Sequence, residues 1–272
     1  MLRRIKLNLK QKLNIEEIRR NLKTKWLGKK IYYLSETDST NNVARELAEQ
    51  GFKEGAIVVS ETQTRGKGRL GRKWISPKGG IWLSIILKPK IKPSELIKIT
   101  LLTAVAVAKA IKEELNINAE IKWPNDVLVD DRKVCGILTE TFSQGEKLQY
   151  VIVGIGINAN FDISVFPEKL RCTATSLKKV LGREINRERL ICSLLRKMEF
   201  YYEALLKGRT KAILNEWRKL SSMLGCKVEI SSFKERFEGT AVDIDDEGWL
   251  IVRLDDGTLQ KIVSGDVTVR KT

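Results

Sequence analysis

Apolar residues recur along this chain in two rhythms, one helical and one alternating. Over residues 15–22 they keep to one face of a helix, with Glu16 and Glu17 early and Arg19 and Arg20 late, the order a helix dipole favours. Residues 30–34 read as a strand. Asp38, Ser39 and Thr40 then supply N-cap candidates for a helix through Gln50, which Gly51 ends. Residues 56–62 and 80–87 are strands, the second stopping near Pro89, and residues 94–115 form a long, mostly apolar helix with Ser94 at its cap. From Glu120 the pattern is strand, turn, strand: 121–123, then Pro124-Asn125-Asp126, then 127–129. After a turn at 130–132, residues 134–142 and 148–157 are antiparallel candidates around a turn at 143–147. Helices over 187–206 and 210–220 follow. Beyond Gly225, short strands alternate with turns at 245–248 and 255–257, the mark of a small antiparallel barrel. The pattern predicts a mixed sheet with helices stacked on one face, then a compact β module.

Composition narrows this reading. A length of 272 residues suits a large domain with a small appendage, and 42% apolar content suffices for a packed core. The net charge of +16 is uneven. Residues 1–30 carry 11 Lys and Arg against 2 Asp and Glu, whereas residues 225–272 carry 7 against 10. The basic tract suits contact with nucleic acid but such runs are usually solvated, and the acidic end argues against a uniform nucleic-acid coat. Histidine is absent, which removes the side chain that titrates near neutrality and excludes Ser-His and Cys-His mechanisms. Cys135, Cys172, Cys192 and Cys226 are far apart with no Cys-x-x-Cys pair, so reduced thiols of a cytosolic protein are expected and a zinc site is not. The longest apolar run, residues 99–111, falls short of the roughly 20 that a membrane helix needs. The N-terminus has no apolar core behind its charges and is not a secretory signal.

The chemistry concentrates in a few segments. In Gln63-Thr-Arg-Gly-Lys-Gly-Arg-Leu-Gly-Arg-Lys-Trp74, Gly66, Gly68 and Gly71 alternate with Lys67, Arg69 and Arg72. Glycines let backbone N–H groups close on an anion while the cations surround it, so the segment fits a nucleotide phosphate; a solvated basic hairpin turn fits it equally. Ser39-Thr40-Asn41-Asn42 at a helix start reads by itself as capping. Lys122-Trp-Pro-Asn125-Asp126 sets a cation, an amide and a carboxylate around a proline-fixed turn, and Lys133 and Gly136 follow within one hairpin. Gly154-Ile-Gly-Ile-Asn158 ends an apolar strand with residues that weaken it, as though something lies against its backbone.

Taken together, in this order and spacing, these segments resemble those of the biotin–protein ligases over about residues 25–272. The resemblance implies an α+β fold, with a class II synthetase-like catalytic domain over 26–224 and a Src-homology-3-like barrel over 225–272, behind a basic extension at 1–25. It implies that biotin and ATP, with Mg²⁺, form biotinyl-adenylate, and that the biotinyl group then passes to a lysine of a biotin carboxyl carrier protein. By the same resemblance Ser39, Thr40, Asn41 and Gln63 meet the ureido ring, and Gly66, Lys67, Gly68 and Gly136 complete the biotin site. Arg69 and Lys133 hold the biotin carboxylate beside the α-phosphate, and Arg72, Trp74, Asn125 and Asn158 attend ATP. Asp126 has two readings of its own: it takes the acceptor lysine's proton, or it is a turn carboxylate capping nearby N–H groups. No protein ligand for the metal is expected, and a homodimer is.

Two departures accompany the resemblance. Lys67 stands where many relatives carry arginine, and about 25 residues precede the ligase region, too few for the winged-helix repressor domain of some relatives. A ligase that does not repress transcription is therefore expected. The competing readings are a lipoate or octanoyl ligase of the same fold, a DNA-binding regulator, and an inactive fold kept as an interaction module.

Overall fold

The structure is a computed structural model that describes residues 12–144, 147–231 and 236–270. The first eleven residues of the basic tract lie outside the described residues. Helix α1 (Ile15–Asn21) starts where the Asn14 side chain accepts the Glu17 N–H. A seven-stranded sheet follows, built from β1 (Ile31–Leu34), β2 (Ile57–Ser60), β3 (Ile81–Leu87), β4 (Glu120–Lys122), β5 (Asp126–Val129), β6 (Arg132–Gln144) and β7 (Lys147–Ile157). Its order is β1-β2-β3-β7-β6-β5-β4, parallel only between β1 and β2. The long β6–β7 hairpin lies in the middle; β7 is buried over most of its length, whereas β6 is buried at Val134, Cys135 and Ile137 and grows more exposed toward its end.

Side-chain alternation sends neighbouring residues to opposite faces. Ile57 and Val59 join the main core, with helices α3 (Leu96–Leu115), α6 (Arg187–Leu206) and α7 (Thr210–Leu220). Helix α3 is apolar around most of its circumference because it is enclosed by the sheet, α6 and α7. Val58 and Ile86 face the other way, where Ala44 and Ala48 of α2 (Thr40–Glu49) cover them. The three long helices thus take one face as the pattern predicts, and α2 takes the opposite one. Two short helices, α4 (Glu168–Arg171) and α5 (Leu177–Leu181), carry the chain from β7 back across the sheet; no periodicity marks them because each spans little more than one turn.

Strands β8 (Lys227–Ser231), β9 (Arg236–Ile244), β10 (Leu250–Arg253), β11 (Leu259–Ile262) and β12 (Asp266–Arg270) make a second, fully antiparallel sheet in the order β11-β10-β9-β8-β12. It docks on the larger, seven-stranded unit without a break in apolar packing, since Val228, Ile230 and Ala241 share one cluster with Trp217 and Ile121. Polar contacts fix its attitude. Trp123 Nε1 donates to the Gly248 carbonyl at 3.1 Å, and Arg218 reaches Asp243 at 2.6 Å.

The N-terminal connector is tied down by carboxylates. Glu199 accepts the backbone N–H groups of Lys25, Trp26 and Leu27. Glu61, at the end of β2, accepts the Leu13 N–H and the Tyr33 hydroxyl and pairs with Arg187 at 3.1 Å. Burial, with the neighbouring Glu61, raises the Tyr33 phenol to about 12. Glu61 and Arg187 are 3% and 4% exposed, so removing one leaves the other charged and dry. Arg187→Met is expected to cost about 3–5 kcal/mol in urea unfolding, and pairing it with Glu61→Gln to recover most of that. Equal losses in the single and double variants would show that the charge pairing is not what matters.

Candidate active site

Three glycines decide where the site lies. Gly136 on β6 and Gly156 on β7 are directly paired, and Gly154 lies two residues back on the same face of β7. Together they strip the centre of the sheet, on the α2 face, of side chains. The Trp74 indole lies across the Gly136–Gly156 patch, where a Cβ would come within 2.8 Å and 2.5 Å of the ring. The Asn41 amide lies against Gly154, whose Cβ would meet Oδ1 at 2.3 Å. Something does lie against this glycine-rich backbone, and it includes the protein's own side chains.

Around this patch opens a cavity of about 390 Å³. Its floor is polar and uncharged. Ser39 makes no capping bond to α2; Asp38 instead accepts from the Ser39 N–H and the Asn42 amide. Thr40 donates its N–H and hydroxyl to Gln63 Oε1 at 2.7 and 3.0 Å, and Gln63 Nε2 donates to Ser76. Ser84 donates to Asn41 Oδ1 at 2.6 Å.

The opposite side is cationic. The bulge between Val127 and Leu128 pairs Asp126 with Gly136 and Leu128 with Lys133. In an unbroken strand, residues three apart point to opposite faces. The bulge turns Lys133 onto the face of Gly136, where its ammonium lies 2.5 Å from Asp126 Oδ1 and over the Trp74 ring at 5.1 Å. The approach to Asp126 is off the hydrogen-bonding direction, so that buried oxygen has an ion-pair partner and no hydrogen bond. Lys122 lines the same wall; burial lowers its pKa, and among the described residues no carboxylate lies within ion-pairing distance.

The glycine-cation segment folds back on itself and closes the third side. Gly68 N–H donates to Arg72 O at 2.7 Å and Trp74 N–H to Gly66 O at 2.8 Å. Leu70 at its tip is left-handed, with φ 55°, and 70% exposed, which costs roughly 1–2 kcal/mol for a residue with a Cβ. Contacts from elsewhere in the chain hold the segment down. Arg69 donates to Asn125 Oδ1 and to the Gly265 carbonyl, both at 3.1 Å. Arg72 reaches Asp266 at 2.7 Å, and Lys67 reaches Asn42 at 2.5 Å. Burial lowers the Arg69 pKa, against the pull of Asp266 and Asp126.

Of the residues singled out from the sequence, Ser39, Thr40, Asn41, Gln63, Lys67, Gly68, Arg69, Arg72, Trp74, Asn125, Asp126, Lys133, Gly136 and Asn158 all line this cavity. Gly66 does not; it supports the base of the segment, where a Cβ would come within 2.4 Å of the Trp74 carbonyl. Two buried polar atoms at the cavity lack partners, the Trp74 Nε1 donor and the Asn158 Oδ1 acceptor. Lys122, Thr173 and Ala174 also line it, as do Asp266 to Thr268 of β12. Lys122 is the cation of the Lys122–Asp126 motif, with no role of its own apparent from the sequence; no local pattern announces the others. Among the described residues no group of three or more acidic, cysteine or histidine side chains is placed to hold a metal.

Comparison with known proteins agrees with this architecture. Residues 33–158 match the Biotin/lipoate A/B protein ligase family, and residues 228–270 match the Biotin protein ligase C terminal domain. The chain is 38% identical over 257 residues to the bifunctional ligase/repressor BirA of Bacillus subtilis, covering 94% of this chain and 79% of that protein. It is 31% identical to the biotin–[acetyl-CoA-carboxylase] ligase of Paracoccus denitrificans, over 81% of this chain and 92% of the other. The solved biotin protein ligase from Aquifex aeolicus in complex with biotin and ATP superposes with a TM-score of 0.77 at 29% identity, over 90% of this chain and all of that one. On sequence and fold, this chain belongs to the biotin protein ligase family.

Proposed function

We propose that this cavity activates biotin with ATP and hands the biotinyl group to a lysine of a carboxylase's biotin carrier domain. The observation that carries the reading is one cavity with an uncharged hydrogen-bonding floor and a wall of cations countered mainly by Asp126 and Asp266. Biotin has the matching halves, a cyclic urea and a carboxylate. The floor of Ser39, Thr40, Asn41 and Gln63 takes the urea, leaving the carboxylate at Arg69 and Lys133. A lipoyl ring has no hydrogen-bonding groups and would leave these buried polar atoms unpaired, so the lipoate reading is disfavoured.

ATP fits the other side. The partnerless Trp74 N–H and Asn158 oxygen are a donor and an acceptor awaiting a polar heterocycle or ribose. Arg72, Asn125, Lys133 and Lys122 face the phosphates, and Mg²⁺ arrives with them. A carboxylate and a phosphate 4 Å apart repel by about 4 kcal/mol at an effective dielectric of 20. Arg69 and Lys133 offset this, and alignment supplies the rest. A biotin carboxylate oxygen attacks the α-phosphorus, the bond to the bridging oxygen breaks, and pyrophosphate leaves. The acceptor amine then attacks the acyl carbon and AMP departs. Phosphate oxygens compete with Asp126 for Lys133, which frees that carboxylate to take the amine's proton.

We assign residues 26–224 to the catalytic unit, 225–272 to the barrel and 1–25 to the connector. Only α1 precedes β1 among the described residues, and no transcriptional role is assigned. A homodimer in the cytoplasm completes the reading; no described helix is long and apolar enough to cross a membrane.

The direct test is incubation with ATP, Mg²⁺ and labelled biotin, with and without a carrier domain; no adenylate would refute the assignment. Lys133→Ala should slow biotin-dependent pyrophosphate exchange at least a hundredfold. Asp126→Asn should slow transfer from preformed adenylate by about 10²-fold, the range for a lost proton acceptor; transfer at full rate removes that role. Asp266→Ala, which unties Arg72, should raise the KM for ATP and speed proteolysis at 65–72. Unchanged cleavage would mean that β12 does not restrain the segment.

A further inference from the structure

Asn41 lies on the bare backbone of Gly154, between Ser84 on β3 and Glu140 on β6. Its Nδ2 donates to Glu140 Oε2 at 2.6 Å, while its Oδ1 accepts from Ser84 at 2.6 Å. An amide has nearly the same shape either way round, so its orientation follows from its partners. Ser84 does not decide it, because its one hydroxyl proton is shared between Asn41 Oδ1 and Thr40 Oγ1, at 2.6 and 2.7 Å, and the hydroxyl accepts as well as donates. Glu140 does, because a carboxylate only accepts. A flipped Asn41 would put oxygen against oxygen at that distance. Glu140 therefore turns the Nδ2 group away from the floor and the carbonyl oxygen toward it, with one lone pair left after Ser84. Glu140 is half-buried and does not line the main cavity; it lies behind the glycine-cation segment.

From this geometry we propose that Glu140 is a positioning residue for substrate selection: it fixes Asn41 so that Oδ1 accepts a ring N–H of a cyclic urea. The inference rests on the biotin reading above, and it supplies something the rest of the floor does not, an enforced acceptor. Gln63 Oε1 is already occupied by the Thr40 N–H and hydroxyl, and hydroxyls adapt to either kind of partner. The urea's two N–H groups distinguish it from a carbamate or lactone of the same shape. A site that holds an oriented acceptor against such an N–H rejects the analogue lacking it, because the acceptor is left unpaired.

The test is Glu140→Gln, which keeps shape and removes the compulsion, since a glutamine can face Asn41 with either atom. In biotin-dependent pyrophosphate exchange the KM for biotin should rise about tenfold while the KM for ATP and the unfolding midpoint stay put. Discrimination between biotin and cyclic-carbamate analogues, each with one ring N–H replaced by oxygen, should fall by a similar factor. The double variant Asn41→Asp/Glu140→Gln reverses donor and acceptor across the contact yet still presents a floor oxygen that can only accept. It should recover part of the affinity that Asn41→Asp alone loses by setting two carboxylates together. An unchanged KM for biotin in Glu140→Gln, or KM values for biotin and ATP that rise together with a lower unfolding midpoint, would overturn the inference. Absence of biotin-dependent exchange in the unsubstituted enzyme would instead remove the reading on which it rests.

Discussion

Everything in the site depends on a sheet that gives up side chains at its centre. Sheets are stabilised by neighbouring side chains packing across strands, and β6 and β7 forgo this at Gly136, Gly154 and Gly156. The lost contacts are replaced by groups delivered from outside the sheet. Trp74 fills the space over one pair of glycines and Asn41 that over the third. The indole and the amide become the aromatic wall and part of the polar floor because the strand beneath them is bare.

Electrostatics then follow from placement rather than from net charge. A chain of +16 has cations to spare, but the cavity restrains most of its own. Lys133 is held by Asp126, Arg69 and Arg72 by the barrel, and Lys67 by Asn42. Lys122 has no carboxylate within ion-pairing distance among the described residues. These contacts hold the cations in place around the cavity, and in the proposed reaction phosphates would exchange one set of partners for another. Without histidine, none of this machinery has an unperturbed pKa close to neutrality.

Much of this was legible in the residues. The seven strands and long helices follow from periodicity, and the glycine-rich end of β7 gave notice of close approach before any neighbour was known. The loop's cations, the Lys122–Asp126 turn and Lys133 brought the charged wall of the cavity to hand, apart from Asp266. The bulge that turns Lys133 inward has no marker, because the extra residue on β6, Val134, is an ordinary buried strand residue beside Cys135. Glu140 was invisible because its contact spans 99 residues and depends on Gly154 being empty. Asp266 lies in an acidic block that reads only as solvated barrel. Ser39 reads as a helix cap, and it does hold the N-cap position, but its side chain makes no capping bond and the Thr40 N–H is taken by Gln63 instead.

The tether between the glycine-cation segment and β12 carries a temporal consequence. Arg69 finds its carbonyl partner 196 residues further along the chain. On the ribosome, the segment therefore emerges long before this anchor exists, whereas its contacts with Asn42 and Asn125 have partners made earlier. Holding the β12 contacts back to a late strand ties the finished arrangement of the segment to nearly complete synthesis of the chain.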